Sequence, residues 1–317
     1  MSLQSPRLAL LLLLLVSLIW GAEFVLIDQA VELLPTHSFN ALRFLIAALA
    51  LLPLLYWNAE PLGRHQWRPL LVAGGLLGFL LFIGFYAQTE GLLYTSVSNA
   101  GFITGLNVPL VPLLALLLLG TRAGANIWLG VAAATAGLYL LTVGDKLAFN
   151  RGDALVLVCA FAFALHILLT GRVAQHLPLI PLSIVQLGAV SAYSTLAHVV
   201  SGEPLVYPDA AGISSWLQLF NPIILSALLV AGVLGSGFAY WAQSAGQRLL
   251  PSYKVALVFA TEPLFAHLFA WVFADETLGT LGIIGALLIV AGMLISELGE
   301  RSRPLAVQPL DRSVATD

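Results

Sequence analysis

The chain has 317 residues, of which 60% are hydrophobic and 9% charged, and its net charge is −3. A soluble domain carries about 25% charged residues, so this chain cannot cover a water-facing surface and belongs in a membrane. No Lys/Arg run is dense enough for nucleic acid, and the one cysteine, Cys159, makes neither an internal disulfide nor a metal cluster.

The predicted elements are apolar stretches of helix length at 8–28, 37–56, 69–92, 97–119, 126–143, 153–173, 182–200, 221–247, 253–273 and 280–298. The first contains "LALLLLLLVSLI" and could pass for a signal-peptide core. Its apolar run continues to Ile27 with no small-residue cleavage site, which gives the roughly 20 residues a span needs. Short breaks such as "NAEPLGRHQ", "TRAGAN" and "GDKLAFNRGD" hold the loop residues. Spans in lipid must satisfy their own backbone, so the expected fold is an all-α membrane protein with ten transmembrane helices. With both termini cytoplasmic, Arg7, Arg64, Arg68, Arg122, Arg172, Arg248, Lys254, Arg301, Arg303 and Arg312 fall inside, and only Lys146 and Arg151 outside. Residues 300–317 are polar and are expected to be a disordered cytoplasmic tail.

The chain repeats itself. Tyr86-Ala87-Gln88 is answered by Tyr240-Trp241-Ala242-Gln243, and Asn107-Val108-Pro109-Leu110 by Thr261-Glu262-Pro263-Leu264. Gly130 and Gly137 are answered by Gly285 and Gly292, and Glu23 aligns with His166. Two halves of five helices, 1–145 and 152–299, follow; since five is odd, they are inverted relative to each other, a transporter design. Trp20-Gly21, "AGFITGLNVPLVP", "GDALVLVCAFAFALHILL" and "TEPLFA", in this order, resemble the drug/metabolite transporters of the EamA type. That resemblance implies alternating access around a cavity built from helices 1–4 and 6–9, and substrates among amino acids, other metabolites or toxic compounds, often moved outward.

Polar side chains in lipid are costly and usually face the bundle interior. The cavity-lining candidates are Trp20, Tyr86, Gln88, Asn99, Asn107, Gln186, Tyr240, Trp241, Gln243 and Glu262. Glu262 is the strongest, near the middle of its span, able to hold an ammonium group or a proton. The rings offer walls and the amides partners, while hydrogen bonding between helices is the plainer use of the amides. Gln186 aligns with Asn40. Pro109 and Pro263 each remove an intrahelical donor and predict kinks at mid-depth. Glu23 and Arg43 fall about 5–8 Å outward of the midplane by helical rise and are candidates for an outer gate. His166, in the inner half, is a candidate proton carrier. Lys254 is expected to snorkel, Gly235-Ser236-Gly237 to mark close packing, and Gly74-x-x-x-Gly78 and Gly101-x-x-x-Gly105 close helix contact.

No Walker sequence, H-E-x-x-H motif or paired Ser–His set is present, so neither an enzyme, a metal centre nor a cofactor is expected. The expected function is secondary transport of small metabolites such as amino acids, outward across the inner membrane. A proton-coupled importer is the nearest alternative; a channel, sensor or intramembrane enzyme fits less well. The expected partners are the lipid bilayer and a small-molecule substrate, with no nucleic acid; a homodimer is left open.

Overall fold

The computed structural model describes residues 5–56, 62–95, 97–142, 150–208, 215–274 and 279–298. The expected tail at 300–317 and the junction at Lys146 lie outside them. Among the described residues there is no strand. The helices are α1 (Pro6–Val31), α2 (Thr36–Leu51), α3 (Trp67–Leu92), α4 (Val97–Gly105), α5 (Asn107–Leu119), α6 (Ala125–Thr142), α7 (Arg151–Val173), α8 (Leu179–Ser201), α9 (Pro222–Leu229), α10 (Ala239–Gln247), α11 (Ser252–Phe259), α12 (Glu262–Ala274) and α13 (Thr280–Leu298). A nine-residue π-helical segment, Val230–Phe238, joins α9 to α10 without a loop. Seven helical stretches are long and apolar enough to cross a membrane, and two shorter apolar helices, Ala125–Leu141 and Thr280–Ser296, accompany them.

The molecule is turned inside out relative to a soluble domain. Leu71, Leu117, Leu129, Leu287 and Val200 stand exposed, whereas Glu23, Arg43, Asp153, His166, Gln186 and Gln247 are buried. Exposed aliphatic side chains suit lipid, and buried charges must find partners. This is a multi-pass membrane protein.

Between helices that gain nothing from burying apolar faces in apolar lipid, close packing holds the bundle together. The α6–α13 contact shows how. A Cβ on Gly137 would lie 2.6 Å from the Gly285 carbonyl, and one on Gly285 2.6 Å from the Gly137 carbonyl; Gly130 and Gly292 stand in the same reciprocal relation. The seven-residue spacing in both helices brings the glycines onto one face, so the two backbones touch twice. Gly74 and Gly78 of α3 likewise sit against Val185, Gln186 and Ala189 of α8. Gly101 does not behave as expected: among the described residues nothing lies within 4 Å of a Cβ placed there, and Gly105 meets only the Leu138 side chain.

Helix ends are satisfied locally. Asn150 and Asp153 form a reciprocal capping box on α7, at 3.0 and 2.9 Å, and Thr95 donates to Asp153 from the α3–α4 turn. At the other end of α7, Arg248 donates to the carbonyls of Ala174 and Leu177. Gly120 and Gly202 end α5 and α8 with φ of 64° and 68°, a conformation glycine adopts without steric cost. Lys254 corrects an expectation: it is 6% exposed and does not snorkel. It lies in the first turn of α11, where Ser252 and Tyr253 are half-buried and the following residues Val255, Ala256, Leu257 and Val258 are all buried.

Candidate functional site

Two breaks frame the centre. The fourth span divides at Leu106 between α4 and α5, and the ninth at Ala260–Thr261 between α11 and α12. The expected kinks fall here, a few residues ahead of Pro109 and Pro263: Leu106 and Ala260 keep right-handed helical backbone angles, and only one or two residues leave the regular ladder. A proline lacks the N–H of the helical ladder and its ring crowds the preceding turn. At the second break Thr261 folds back, its N–H and hydroxyl both reaching the Val258 carbonyl, at 3.0 and 2.7 Å. Glu262 consequently opens the first turn of α12, half-buried. Asn107 opens α5, and its Oδ1 is buried without a hydrogen-bond partner among the described residues.

Beside the second break lies a buried ion pair. Arg43 Nη2 donates to Glu23 Oε1 at 2.9 Å, and both side chains are 4% exposed. Arg43 Nε donates to Ser236 Oγ at 2.8 Å. The guanidinium also lies 5.1 Å from the centre of the Phe85 ring and 5.4 Å from that of Phe44. Among the described residues Glu23 Oε2 has no hydrogen-bond partner. Its carboxylate rests on the bare backbone of Gly235, where a Cβ would lie 1.7 Å from Oε2. The Gly235 carbonyl accepts the indole N–H of Trp20 at 2.7 Å. The π-helical turn makes this seat, as such wide turns often do at functional positions. Gly232 lets α2 approach (a Cβ would be 3.0 Å from the Arg43 carbonyl), Gly235 receives Glu23, and Ser236 receives Arg43. Sequence reasoning missed Ser236; the flanking glycines signalled close packing but not a hydrogen bond to a charge.

Trp20, Tyr240 and Phe259 form the adjoining apolar wall. The Trp20 ring centre is 6.1 Å from Tyr240 and 4.8 Å from Phe259. On its other side Tyr240 meets His166 edge-on at 5.5 Å. His166 Nε2 is 3.1 Å from Gln186 Oε1 and 3.4 Å from Thr170 Oγ1, while Gln186 Nε2 is buried without a partner. His166 and Gln186 each stand 143 residues after Glu23 and Arg43 (166 − 23 and 186 − 43), and each pair is 20 residues apart. One station is charged, and its counterpart is neutral.

Other candidates fall elsewhere. Tyr86 is half-buried and stacks on His37 at 5.1 Å, not against Tyr240. Gln88 donates to Thr104 at 3.1 Å, next to buried Cys159. Gln243 donates to Gln247 at 3.2 Å, and Gln247 donates to the Ile167 carbonyl at 2.6 Å, a knot tying α10 to α7. Trp241 packs against Phe238 and the cluster of Ala174, Leu179 and Ala245. Asn99 lies in α4, with its side chain outside what is described. Among the described residues no group of three His, Cys, Asp or Glu is placed to hold a metal ion. An open depression beside Leu49, Leu52, Pro53, Leu55 and Tyr56 is mostly apolar and offers little to a polar solute.

The EamA-like transporter family model matches the chain twice, over residues 7–143 and 150–298. This chain belongs to that family. An uncharacterized transporter of Archaeoglobus fulgidus is 30% identical over 90% of this chain and 84% of its own length. The uncharacterized inner membrane transporter YedA of Escherichia coli K12 is 26% identical, covering 89% and 88%. A protein named as a probable amino-acid metabolite efflux pump in Salmonella typhimurium LT2 is 26% identical, covering 93% and 96%. A crystal structure at 20% identity matches with a TM-score of 0.74 over 92% of this chain, a likeness of fold.

Proposed function

We propose that this EamA-like protein is a secondary transporter that carries small metabolites, amino acids or related compounds, outward across the inner membrane by alternating access. The observation that carries the reading is the buried Glu23–Arg43 pair, seated on a π-helical turn and flanked by two interrupted helices. An ion pair taken out of water is weak evidence for stability, because desolvation offsets its attraction. Ionisable groups inside a membrane usually mark a solute path, and interrupted helices lend backbone groups and helix ends to a solute. The printed name of the Salmonella relative supports the choice of amino-acid metabolites and of export.

In this reading the helices make ten spans, with α4–α5, α9–α10 and α11–α12 each counting as one. The halves 1–145 and 152–299 are inverted repeats, and both termini are cytoplasmic. The reciprocal α6–α13 glycines and the two stations 143 residues apart support that symmetry. The Glu23–Arg43 pair closes the outer half and opens as water enters between its members; His166–Gln186 occupies the inner half. The partners are the bilayer and the solute, with a homodimer left open.

The test is metabolite release from bacteria expressing the wild type or Glu262→Gln at matched levels. One or a few compounds should rise in the medium with the wild type and fall back with the variant. Equal release from wild type and empty cells, together with faster uptake, would replace export with import.

A further inference from the structure

The three helices of the second station run together for more than one turn. On α7 His166, Thr170 and Ala174 follow at intervals of four, and on α8 Leu179, Ser183 and Gln186 at four and three, so each set occupies one helix face. At one end the sets meet in an apolar rung, where Ala174 and Leu179 pack with Ala245 of α10. At the other end they meet in a polar rung, where His166 Nε2 is 3.1 Å from Gln186 Oε1 and the imidazole ring is 5.5 Å from that of Tyr240. Thr170 and Ser183 fall between the rungs. Ser244 joins them from α10, since it shares a face with Tyr240, four residues earlier, and directly precedes Ala245.

This middle layer is buried and has bonds to spare. Ser183, Gln186 and Ser244 are each 0% exposed. Six buried side-chain polar atoms lack a hydrogen bond among the described residues, and three of them are here: Ser183 Oγ, Ser244 Oγ and Gln186 Nε2. An unpaired buried polar group costs free energy, and three in one layer point to a guest that pairs them. The atoms say what kind. Gln186 Nε2 carries two N–H groups and each serine one O–H, and a carboxylate accepts about four such bonds through its two oxygens. The amide hydrogens oppose a metal ion or an ammonium group. The three helices bring no repelling carboxylate to the layer: Asp153 is their one acidic residue, and it is held at the far end of α7 by Asn150 and Thr95. Arg248, directly after α10, adds positive charge on the side of the apolar rung, where it bonds the Ala174 carbonyl.

We propose that Ser183, Gln186 and Ser244 form a binding subsite for the carboxylate group of the transported metabolite. The inference rests on the transport reading above and names the end of the solute that is held between α7, α8 and α10. Neutral donors grip a carboxylate by charge-assisted hydrogen bonds, and they let it go as the helices that carry them separate. Tyr240 leads from this subsite to Trp20 and Phe259, a wall for the solute's apolar body.

The experiment is titration calorimetry of the purified full-length protein in detergent at neutral pH. The probes are sodium 3-phenylpropionate and its uncharged amide, 3-phenylpropanamide. The wild type should bind the carboxylate about tenfold more tightly than the amide, or better, the difference expected of a hydrogen bond to a charged group. Gln186→Glu puts a like charge in the layer, and Ser183→Ala combined with Ser244→Ala removes two donors. Each should weaken carboxylate binding about tenfold or more and change amide binding less. The serine double variant should keep the unfolding midpoint of the wild type, because the hydroxyls it removes are unpaired, which separates loss of the subsite from loss of the fold. Equal binding of the two probes, binding of neither, or carboxylate binding that ignores the variants overturns the proposal; in the last case the layer holds water only. If the compounds released by cells expressing the wild type carry no carboxylate, the subsite falls while the transport reading stands. If nothing is released and the probes bind as expected, the transport reading falls and the carboxylate site stands.

Discussion

Gly235→Ala is the sharpest test of the seat under the ion pair. A Cβ at this position would lie 1.7 Å from Glu23 Oε2, 2.4 Å from Cδ and 2.5 Å from Oε1. All three are far inside van der Waals contact, so the whole carboxylate must move, and the 2.9 Å bond to Arg43 cannot persist. Breaking a buried pair while leaving one charge uncompensated costs about 3–5 kcal/mol. Alanine returns about 1 kcal/mol of helix propensity relative to glycine. The net expectation is a loss of roughly 2–4 kcal/mol by those two figures, read as a lower midpoint of thermal unfolding in detergent. Gly101→Ala is the control: a Cβ there meets nothing within 4 Å, so the same change should be neutral or stabilising. Combining Gly235→Ala with Glu23→Asp, one methylene shorter, should recover part of the loss. If Gly235→Ala were as stable as Gly101→Ala, the carboxylate would not depend on this seat and the geometry of the pair would be misread.

Arg43→Lys keeps the charge but cannot reach Glu23 and Ser236 at once, so substrate release should fall well below wild type; full activity would show that charge alone suffices. His166→Ala should lower stability by about 1–3 kcal/mol, because Gln186 Oε1 loses its buried partner; an unchanged unfolding midpoint would refute that role. Tyr207 lies in the loop after α8, where partial burial first, then Glu203 and Glu90, raises its phenol above the ordinary value. A phenol with a raised folded-state value stabilises the fold below its unfolded-state value, and that contribution is lost as pH rises through the folded one. Spectrophotometric titration should therefore find Tyr207 ionising later than free tyrosine, and Glu203→Gln should shift it partly back; an ordinary titration would remove both causes.

Much of this was legible because lipid simplifies the rules. A run of apolar residues long enough to cross the bilayer must be helical, so span positions could be read within a few residues. Pro109 and Pro263 announced the breaks through a missing N–H, although whether a helix bends or parts depends on what receives the freed groups. The Glu23–Arg43 contact followed from depth alone, since two helices joined by a short turn bring residues at equal depth face to face. Ser236 was not legible, because helical spacing carries no sign of the wider turn that aims its hydroxyl at Arg43. Gln243 and Gln247 look like solute ligands by type, and only packing shows that they bond to each other and to the Ile167 carbonyl. Lys254 was misjudged because charge suggests the surface, whereas Lys254 and the residues that follow it in α11 are buried.

The difference between the two stations bears on how such a bundle would move. If the halves are inverted repeats, the contacts closing one face are repeated on the other, and equal contacts would hold both faces with equal strength. Here the pairs differ: Glu23–Arg43 is ionic and fixed by Ser236 and Gly235, while His166–Gln186 is an amide–imidazole contact with Gln186 Nε2 unsatisfied. Hydration affects them differently. Water entering the outer station meets two full charges and recovers a large solvation energy, whereas at the inner station it need only satisfy one amide and one ring. In the proposed arrangement, the face closed by Glu23–Arg43 is then the one whose opening depends more on water and on charge balance.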